Sequence, residues 1–243
     1  MRDWVCGFFM AWGMFLAIPC PRKIWSEGAR QKMLVCMPLV GLLAGGVWAG
    51  AWLLLRGAPG PVRAAVCAAV PWLVTGFMHL DGYMDVCDAV LSRRDLATRQ
   101  RILKDSHCGA FAVICMVLLA MGQWSLFLAA EDVSWLGLLL IPAATRACAG
   151  LAVLGLRPMG TSQYAAMGPA RGGYGAALWV LLALSVGLPL WLDGSFGPLA
   201  AAAGYGLAVW YGFRNLDGMS GDISGFALTI GELCGCGAAI LWR

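Results

Sequence analysis

The chain has 243 residues, of which 60% are hydrophobic and only 12% are charged, and its mean hydropathy is +0.76. A soluble domain carries about twice that share of charge, so this composition indicates a polytopic membrane protein and argues against a soluble enzyme. The net charge of +4 is small, and the positions of the charged residues are more informative than their sum.

The apolar segments of the chain predict a bundle of membrane helices. A bilayer core of about 30 Å needs about 20 apolar residues in a helix. The first apolar segment, residues 5–18, is shorter than that, and we expect a re-entrant or interfacial helix there. We predict an all-α fold of about seven transmembrane helices in a single integral-membrane domain over residues 1–243. The candidate spans are 33–55, 64–81, 109–130, 135–156, 176–192, 198–213 and 223–242.

The basic residues orient these predicted spans. Lys and Arg precede the first span and follow the second, fourth and sixth, whereas the other loops are mainly acidic apart from Arg56 and Arg63. Basic loops face the cytoplasm, so the polar surface is predicted to lie on the cytoplasmic side of the membrane. The basic residues of this surface are Arg22, Lys23, Arg30, Lys32, Arg93, Arg94, Arg99, Arg101, Lys104, Arg157, Arg171 and Arg214.

Three carboxylates lie at the end of the second apolar segment, on this same predicted face. Asp81, Asp85 and Asp88 are spaced i, i+4 and i+7, which places them on one side of a helix. Like charges at this spacing repel, and a carboxylate beside hydrocarbon loses hydration. A hard divalent cation offsets both costs, because it binds oxygen ligands. The segment therefore predicts a Mg²⁺ site, with a solvated helix end as the alternative.

Two segments near the triplet add candidates for the chemistry. His79 precedes Asp81 by two residues and is a candidate general base or phosphate ligand, or a structural histidine. The third span begins just after Lys104, Asp105 and Ser106. Ser106 starts a Ser-x-x-Gly pattern, which suits an anion at a helix N terminus. Simple capping of that helix by Asp105 or Ser106 is the alternative.

Polar residues in the second half of the chain form a further group. Arg146 lies inside the fourth apolar span, where a cation needs a partner or a water-filled cavity, so we expect it to face the site or to pair with one of the acids of the site. Gly221 and Asp222 belong to a glycine-rich polar segment in which Asp222 is a candidate metal ligand. Glu232 lies deeper in the last span and is a functional candidate or packing residue. The sequence contains no pattern that indicates nucleic-acid binding.

Taken together, these motifs resemble the cobalamin synthase family of adenosylcobinamide-GDP ribazoletransferases. The resemblance rests on the His-x-Asp-Gly-x-x-Asp-x-x-Asp pattern from His79, the Lys-Asp-Ser-x-x-Gly pattern from Lys104, and the Ser-Gly-Asp-x-x-Gly pattern from Ser220, followed by Glu232-Leu233. It extends over nearly the whole chain and includes Arg146. The segment 157–175 lacks a clear Tyr-Ala-Arg match to the family.

Membership implies a function and a set of site residues. The resemblance implies transfer of the adenosylcobinamide phosphate of adenosylcobinamide-GDP to α-ribazole or its 5′-phosphate, with release of GMP and with Mg²⁺ as cofactor. It implies that His79, Asp81, Asp85 and Asp88 are catalytic and that Asp81, Asp85, Asp88 and Asp222 bind the metal. The substrate-binding residues would be Lys104, Asp105, Ser106, Arg146 and Gly221. The resemblance also implies a location in a bacterial inner membrane. A homo-oligomer is left open.

Other membrane protein classes remain alternatives. CDP-alcohol phosphatidyltransferase-like proteins also carry an Asp-Gly-rich motif, but the Ala-Arg that they require is missing here. A diphosphate-using prenyltransferase would need two comparable aspartate motifs. A non-enzymatic transporter would place polar residues near the middle of several broken helices, whereas these acids cluster at one predicted edge.

Overall fold

The structure is a computed structural model that describes residues 2–160, 162, 164 and 172–242. The described residues form an assembly of α-helices with one isolated β-bridge between Pro158 and Met219, which confirms the all-α prediction. A 3₁₀ turn, Glu27–Ala29, precedes the second helix. The α-helices are α1 Arg2–Phe15, α2 Arg30–Leu54, α3 Gly60–Val74, α4 Met78–Leu91, α5 Leu96–Ile102, α6 Ala110–Ala129, α7 Trp135–Gly155, α8 Tyr174–Asp193, α9 Gly197–Leu216 and α10 Gly221–Leu241.

Five of the described helices are long and apolar enough to cross a membrane: α2, α6, α7, α8 and α10. The pair α3 and α4 would make a sixth, but a bend of 91° separates its two helices. Helix α9 covers the predicted span 198–213 and is long enough, although it is not among the five. The N-terminal helix α1 is short, as predicted, and packs on the start of α2, where Lys32 pairs with Asp3 at 2.6 Å.

The predicted straight span over residues 64–81 is wrong, because the helix ends at Val74. Gly76 and Phe77 both adopt left-handed backbone conformations, with φ of 60° and 63°. A phenylalanine rarely adopts this conformation, and two such residues in succession end an α-helix. The backbone N–H of Ala17 donates to the carbonyl of Val74 at 2.8 Å and holds the loop after α1 against the break. The bend turns α4 toward the first turns of α6 and α10.

Close helix packing joins α2 to α7. A Cβ atom on Gly41 would lie 2.5 Å from the carbonyl oxygen of Pro142, and a Cβ on Gly45 would overlap the backbone of Leu139. Such approach is possible only for residues without a side chain, and it is a common device in membrane helix pairs. This packing forms the rigid centre against which the other helices are placed.

Contacts between loops agree with the predicted alternation of the spans. On one side, the Arg99 guanidinium donates to Asn215 at 2.9 Å, and Arg157 pairs with Asp217 at 2.5 Å. On the other side, Arg63 donates to the carbonyl of Ala130 at 3.0 Å. Loops that were assigned to the same face thus meet in the structure. Arg171, which was assigned to the basic face, lies outside the described residues.

Candidate active site

The site is built where α4 crosses α10. A Cβ atom on Gly82 would lie 2.8 Å from the carbonyl oxygen of Asp222, and one on Gly225 would lie 3.0 Å from the carbonyl oxygen of His79. The Thr229 hydroxyl donates to the same His79 carbonyl at 3.2 Å. Two polar segments that lie about 140 positions apart in the printed sequence therefore meet through glycine contacts.

Four carboxylates converge at this crossing. Asp81 is exposed, whereas Asp85, Asp88 and Asp222 are half-buried. The charges of Asp81, Asp88 and Asp222 all lie close enough to act on Asp85. Among the described residues, none of these four carboxylates forms an ion pair with Lys or Arg. The crossing therefore concentrates negative charge that no ion pair with a described Lys or Arg neutralises.

Asp88 also has a structural contact with α6. Its carboxylate accepts hydrogen bonds from the backbone N–H groups of Gly109 and Ala112, the latter at 3.1 Å. The anion at this helix N terminus is therefore Asp88, and capping of α6 by Asp105 or Ser106 is wrong. Asp105 is exposed and accepts from the ring and backbone nitrogens of His107, and these hydrogen bonds hold the pKa of Asp105 below its usual value.

His79 borders a polar cavity of about 170 Å³. Asp81, Asp222, Ser224 and Tyr164 line the same cavity. The His79 side chain is buried, and its Nε2 atom has no hydrogen-bond partner among the described residues. A buried polar atom without a partner is costly, and here the residue that carries it lines a cavity. The position fits the predicted catalytic role of His79.

A larger cavity of about 380 Å³ adjoins the polar one. The two cavities share several lining residues, among them Tyr164, Gly221 and Asp222. Lys104 and Arg30 lie on the wall of the larger cavity. The structure thus brings His79, Asp81, Lys104, Gly221 and Asp222 to one continuous space, with Asp85 and Asp88 beside it.

Tyr164 was not among the predicted site residues, although it lines both cavities. Burial and the neighbouring charge of Asp222 raise the pKa of Tyr164 to about 12, against a hydrogen bond with Ser224 that lowers it. The phenol is therefore protonated at neutral pH and can act as a hydrogen-bond donor. The only signal in the sequence was the position of Tyr164 in the segment where the family has Tyr-Ala-Arg, and that match was incomplete.

Three predicted binding residues do not line either cavity. Asp105 and Ser106 are exposed on the loop before α6. Arg146 is buried in the bundle, 1% exposed, and its Nη1 atom pairs with Glu232 Oε1 at 2.7 Å. Arg146 thus has an acidic partner, but Glu232 lines neither cavity, so the predicted role of Arg146 in the site stays a prediction. Its charge lies close enough to act on His79, so Arg146 stands behind the cavity wall.

The metal assignment stays a prediction. The described residues contain no group of three or more His, Cys, Asp or Glu side chains arranged as a ready metal site. The residue types nevertheless suit Mg²⁺, which takes carboxylate oxygens and keeps several waters, commonly with one or two protein carboxylates and substrate phosphates. Asp81 and Asp222 are the carboxylates on the cavity wall, so they fit that mode of binding.

The fold and the site define a polytopic helical membrane protein with a carboxylate-rich cavity at one end of its bundle. Residues 7–240 match the cobalamin-5-phosphate synthase family, and the chain belongs to that family. It is 32% identical to an adenosylcobinamide-GDP ribazoletransferase of Clostridium botulinum (strain Alaska E43 / Type E3), with the whole of both chains covered. It is 33% identical to one of Clostridium perfringens (strain 13 / Type A), over 93% of this chain and 94% of the relative. No solved structure matches the chain.

Proposed function

We propose that this protein transfers the adenosylcobinamide phosphate moiety of adenosylcobinamide-GDP to α-ribazole or its 5′-phosphate and releases GMP, as the final assembly step of cobalamin biosynthesis. The observation that carries the proposal is the meeting of His79, Asp81 and Asp222 at one cavity in a chain of this family. The names of the relatives support the same reaction.

The reaction replaces the phosphoanhydride bond to GMP with a phosphate ester bond to the ribazole. A ribazole hydroxyl attacks the cobinamide-side phosphorus and forms a new P–O bond, while the anhydride bond breaks and GMP leaves with the bridging oxygen. The hydroxyl proton passes to a base. His79 is our candidate, because it lines the cavity and its buried Nε2 has no hydrogen-bond partner among the described residues. Asp81 or Asp222 is the alternative base. We expect direct displacement without a phosphorylated enzyme.

Phosphoryl transfer depends on positioning and charge neutralisation more than on covalent chemistry. Lys104 is the cation that we assign to the substrate phosphates, since it lines the larger cavity. Asp81, Asp85 and Asp222 are the proposed ligands of Mg²⁺, with Asp88 as a further candidate. When bound, Mg²⁺ would neutralise the diphosphate and stabilise the departing GMP. The carboxylates at the α4–α10 crossing form no ion pair among the described residues, which supports this assignment.

We place the site at the cytoplasmic face of a bacterial inner membrane. The α5 helix, next to the site along the chain, carries Arg99 and Arg101, and Arg93 and Arg94 precede it. Such a cluster of basic residues favours the cytoplasmic side. This orientation gives the nucleotide substrate access to the cavity from the cytosol.

GMP release by the purified protein in detergent tests the proposal. The assay contains adenosylcobinamide-GDP and α-ribazole, each omitted in turn, with Mg²⁺ or with EDTA. We expect GMP only with both substrates and Mg²⁺. Release that persists in EDTA would contradict the metal assignment and leave the transferase in place. No release from protein with a cooperative thermal transition would contradict the transferase itself.

A further inference from the structure

The larger cavity has an unusual lining. Five methionines border it, contributed by α1, α2, α4 and the loop after α7: Met14, Met33, Met37, Met78 and Met159. Phe15, Leu34 and Trp25 complete much of the remaining apolar wall. Methionine side chains are flexible and polarisable, and they make favourable contacts with aromatic rings. A wall of this kind suits apolar aromatic rings, and it can adapt to rings of different shape.

The size of the cavity restricts the choice of ligand. A volume of about 380 Å³ lies near the lower end of the range of about 300–1,000 Å³ for sites that enclose drug-sized ligands. The corrin macrocycle of adenosylcobinamide is much larger than such a ligand. The two smaller ring systems in the proposed reaction are guanine and the dimethylbenzimidazole of ribazole.

The side chains of the cavity wall favour one of these two rings over the other. Guanine presents donor and acceptor groups on its edges, and burying them without partners is costly. Dimethylbenzimidazole has an apolar ring edge with two methyl groups, which thioether and aromatic side chains can cover. The polar side chains of this cavity are Arg30, Lys104, Ser162, Tyr164, Ser220 and Asp222, of which Tyr164 and Asp222 also line the catalytic cavity. It is against the methionine part of the wall that the edge groups of guanine would have no partner.

We infer that the methionine-lined cavity binds the aromatic base of the ribazole substrate and determines which base is accepted. This inference rests on the proposed function. With the base among the methionines, the attached ribose extends toward Tyr164, Gly221 and Asp222, where the two cavities join. The attacking hydroxyl is thereby delivered to the space that His79 and Asp81 line. Because the methionines are flexible, the cavity would accept related bases, with kcat/KM values that depend on how well each base fits.

The test compares Met14→Ala with Met10→Ala. Both residues belong to α1 and line a neighbouring cavity near the N terminus, but Met14 also lines the methionine-lined cavity, whereas the buried Met10 does not. The readouts are KM for α-ribazole, KM for adenosylcobinamide-GDP, and the ratio of kcat/KM for α-ribazole to that for the riboside of unsubstituted benzimidazole. We expect Met14→Ala to raise KM for α-ribazole about tenfold and to lower the ratio, since apolar pocket contacts discriminate at this level. Met10→Ala should change neither quantity.

A second variant tests the inference if the first does not fold, and two results would contradict it. If Met14→Ala does not fold, Met14→Leu, which nearly conserves volume, should still shift the ratio between the two ribosides. An increase in KM for adenosylcobinamide-GDP alone would assign the cavity to the guanosine side and overturn the inference, while the transferase would stand. An unchanged ratio in a folded Met14 variant would overturn it as well. Absence of transfer by the unmodified protein would instead remove the proposed function on which the inference rests.

Discussion

The carboxylate of Asp88 in α4 accepts a hydrogen bond of 3.1 Å from the backbone N–H of Ala112 in the first turn of α6. The same carboxylate accepts a hydrogen bond from the backbone N–H of Gly109. One side chain of α4 therefore satisfies two of the backbone N–H groups that have no partner within α6 at its N terminus. Its negative charge also lies at the positive end of the helix dipole. Asp88 therefore joins the acidic helix to a membrane-spanning helix.

We predict that Asp88→Ala destabilises the start of α6. Loss of a helix cap costs about 0.5–2 kcal/mol, so the thermal transition in detergent should fall by a few degrees. Hydrogen exchange of the amides at Gly109 and Ala112 should become faster. Asp88→Asn keeps one acceptor oxygen and should lie between Ala and the unmodified chain. Unchanged exchange together with lost turnover would instead assign Asp88 to chemistry alone.

The acidic helix could be predicted from sequence because its signal is local. The spacing of Asp81, Asp85 and Asp88 identifies one helical face, and α4 does contain all three residues. The break before α4 was not predicted in this way, since only Thr75 and Gly76 interrupt the apolar run before it resumes at Phe77. The left-handed residues lie beside a tertiary contact, the hydrogen bond from Ala17 to Val74, that joins segments far apart in the sequence.

The composition of the cavities depends on long-range contacts and was only partly predictable. His79, Asp81, Lys104 and Asp222 carry recognisable motifs, and the structure places them at one space. The methionine wall comes from side chains on several helices, each of which is an ordinary apolar residue in its own segment. Only the crossing of α1, α2 and α4 reveals that they share a surface.

The contact between Gly82 and Asp222 supports a second prediction. A Cβ at Gly82 would lie 2.8 Å from the Asp222 carbonyl oxygen, so Gly82→Ala must separate α4 from α10. We expect loss of most transferase activity and a destabilisation of about 1–3 kcal/mol, as for other overpacked sites. GMP release and thermal unfolding measure the two effects.

Gly122→Ala is the matched control for this prediction. Gly122 lies inside α6, and nothing lies within 4 Å of a Cβ placed there. Alanine is a better helix former than glycine by about 1 kcal/mol, so this variant should keep activity and stability. Equal losses in the Gly82 and Gly122 variants would contradict the close approach of α4 to α10.

The buried pair of Arg146 and Glu232 gives a third prediction. Removing one partner of such a pair typically costs about 3–5 kcal/mol, because the other charge remains buried without compensation. Glu232→Met alone should therefore strongly lower the yield and thermal stability of the folded protein. The double variant Arg146→Met with Glu232→Met should recover much of that stability.

The activity of the double variant separates two roles for Arg146. Its charge acts on His79 from behind the cavity wall, so we expect the stable double variant to have reduced turnover with KM for adenosylcobinamide-GDP little changed. A selective increase in that KM would instead support direct binding of substrate phosphate by Arg146, as the sequence predicted. A double variant as unstable as the single one would contradict a simple charge pair.

Asp85→Asn is the sharpest test of the acidic crossing. Asparagine has nearly the same shape but removes a charge that Asp81, Asp88 and Asp222 repel, so thermal stability should be unchanged or slightly higher. If the carboxylate helps to hold Mg²⁺, its loss removes several kcal/mol of transition-state stabilisation, and GMP release should fall by about 100-fold or more. Asp95→Asn, at the exposed N-cap of α5, is the matched control and should retain activity. Near-normal GMP release by folded Asp85→Asn protein would exclude Asp85 as a metal ligand.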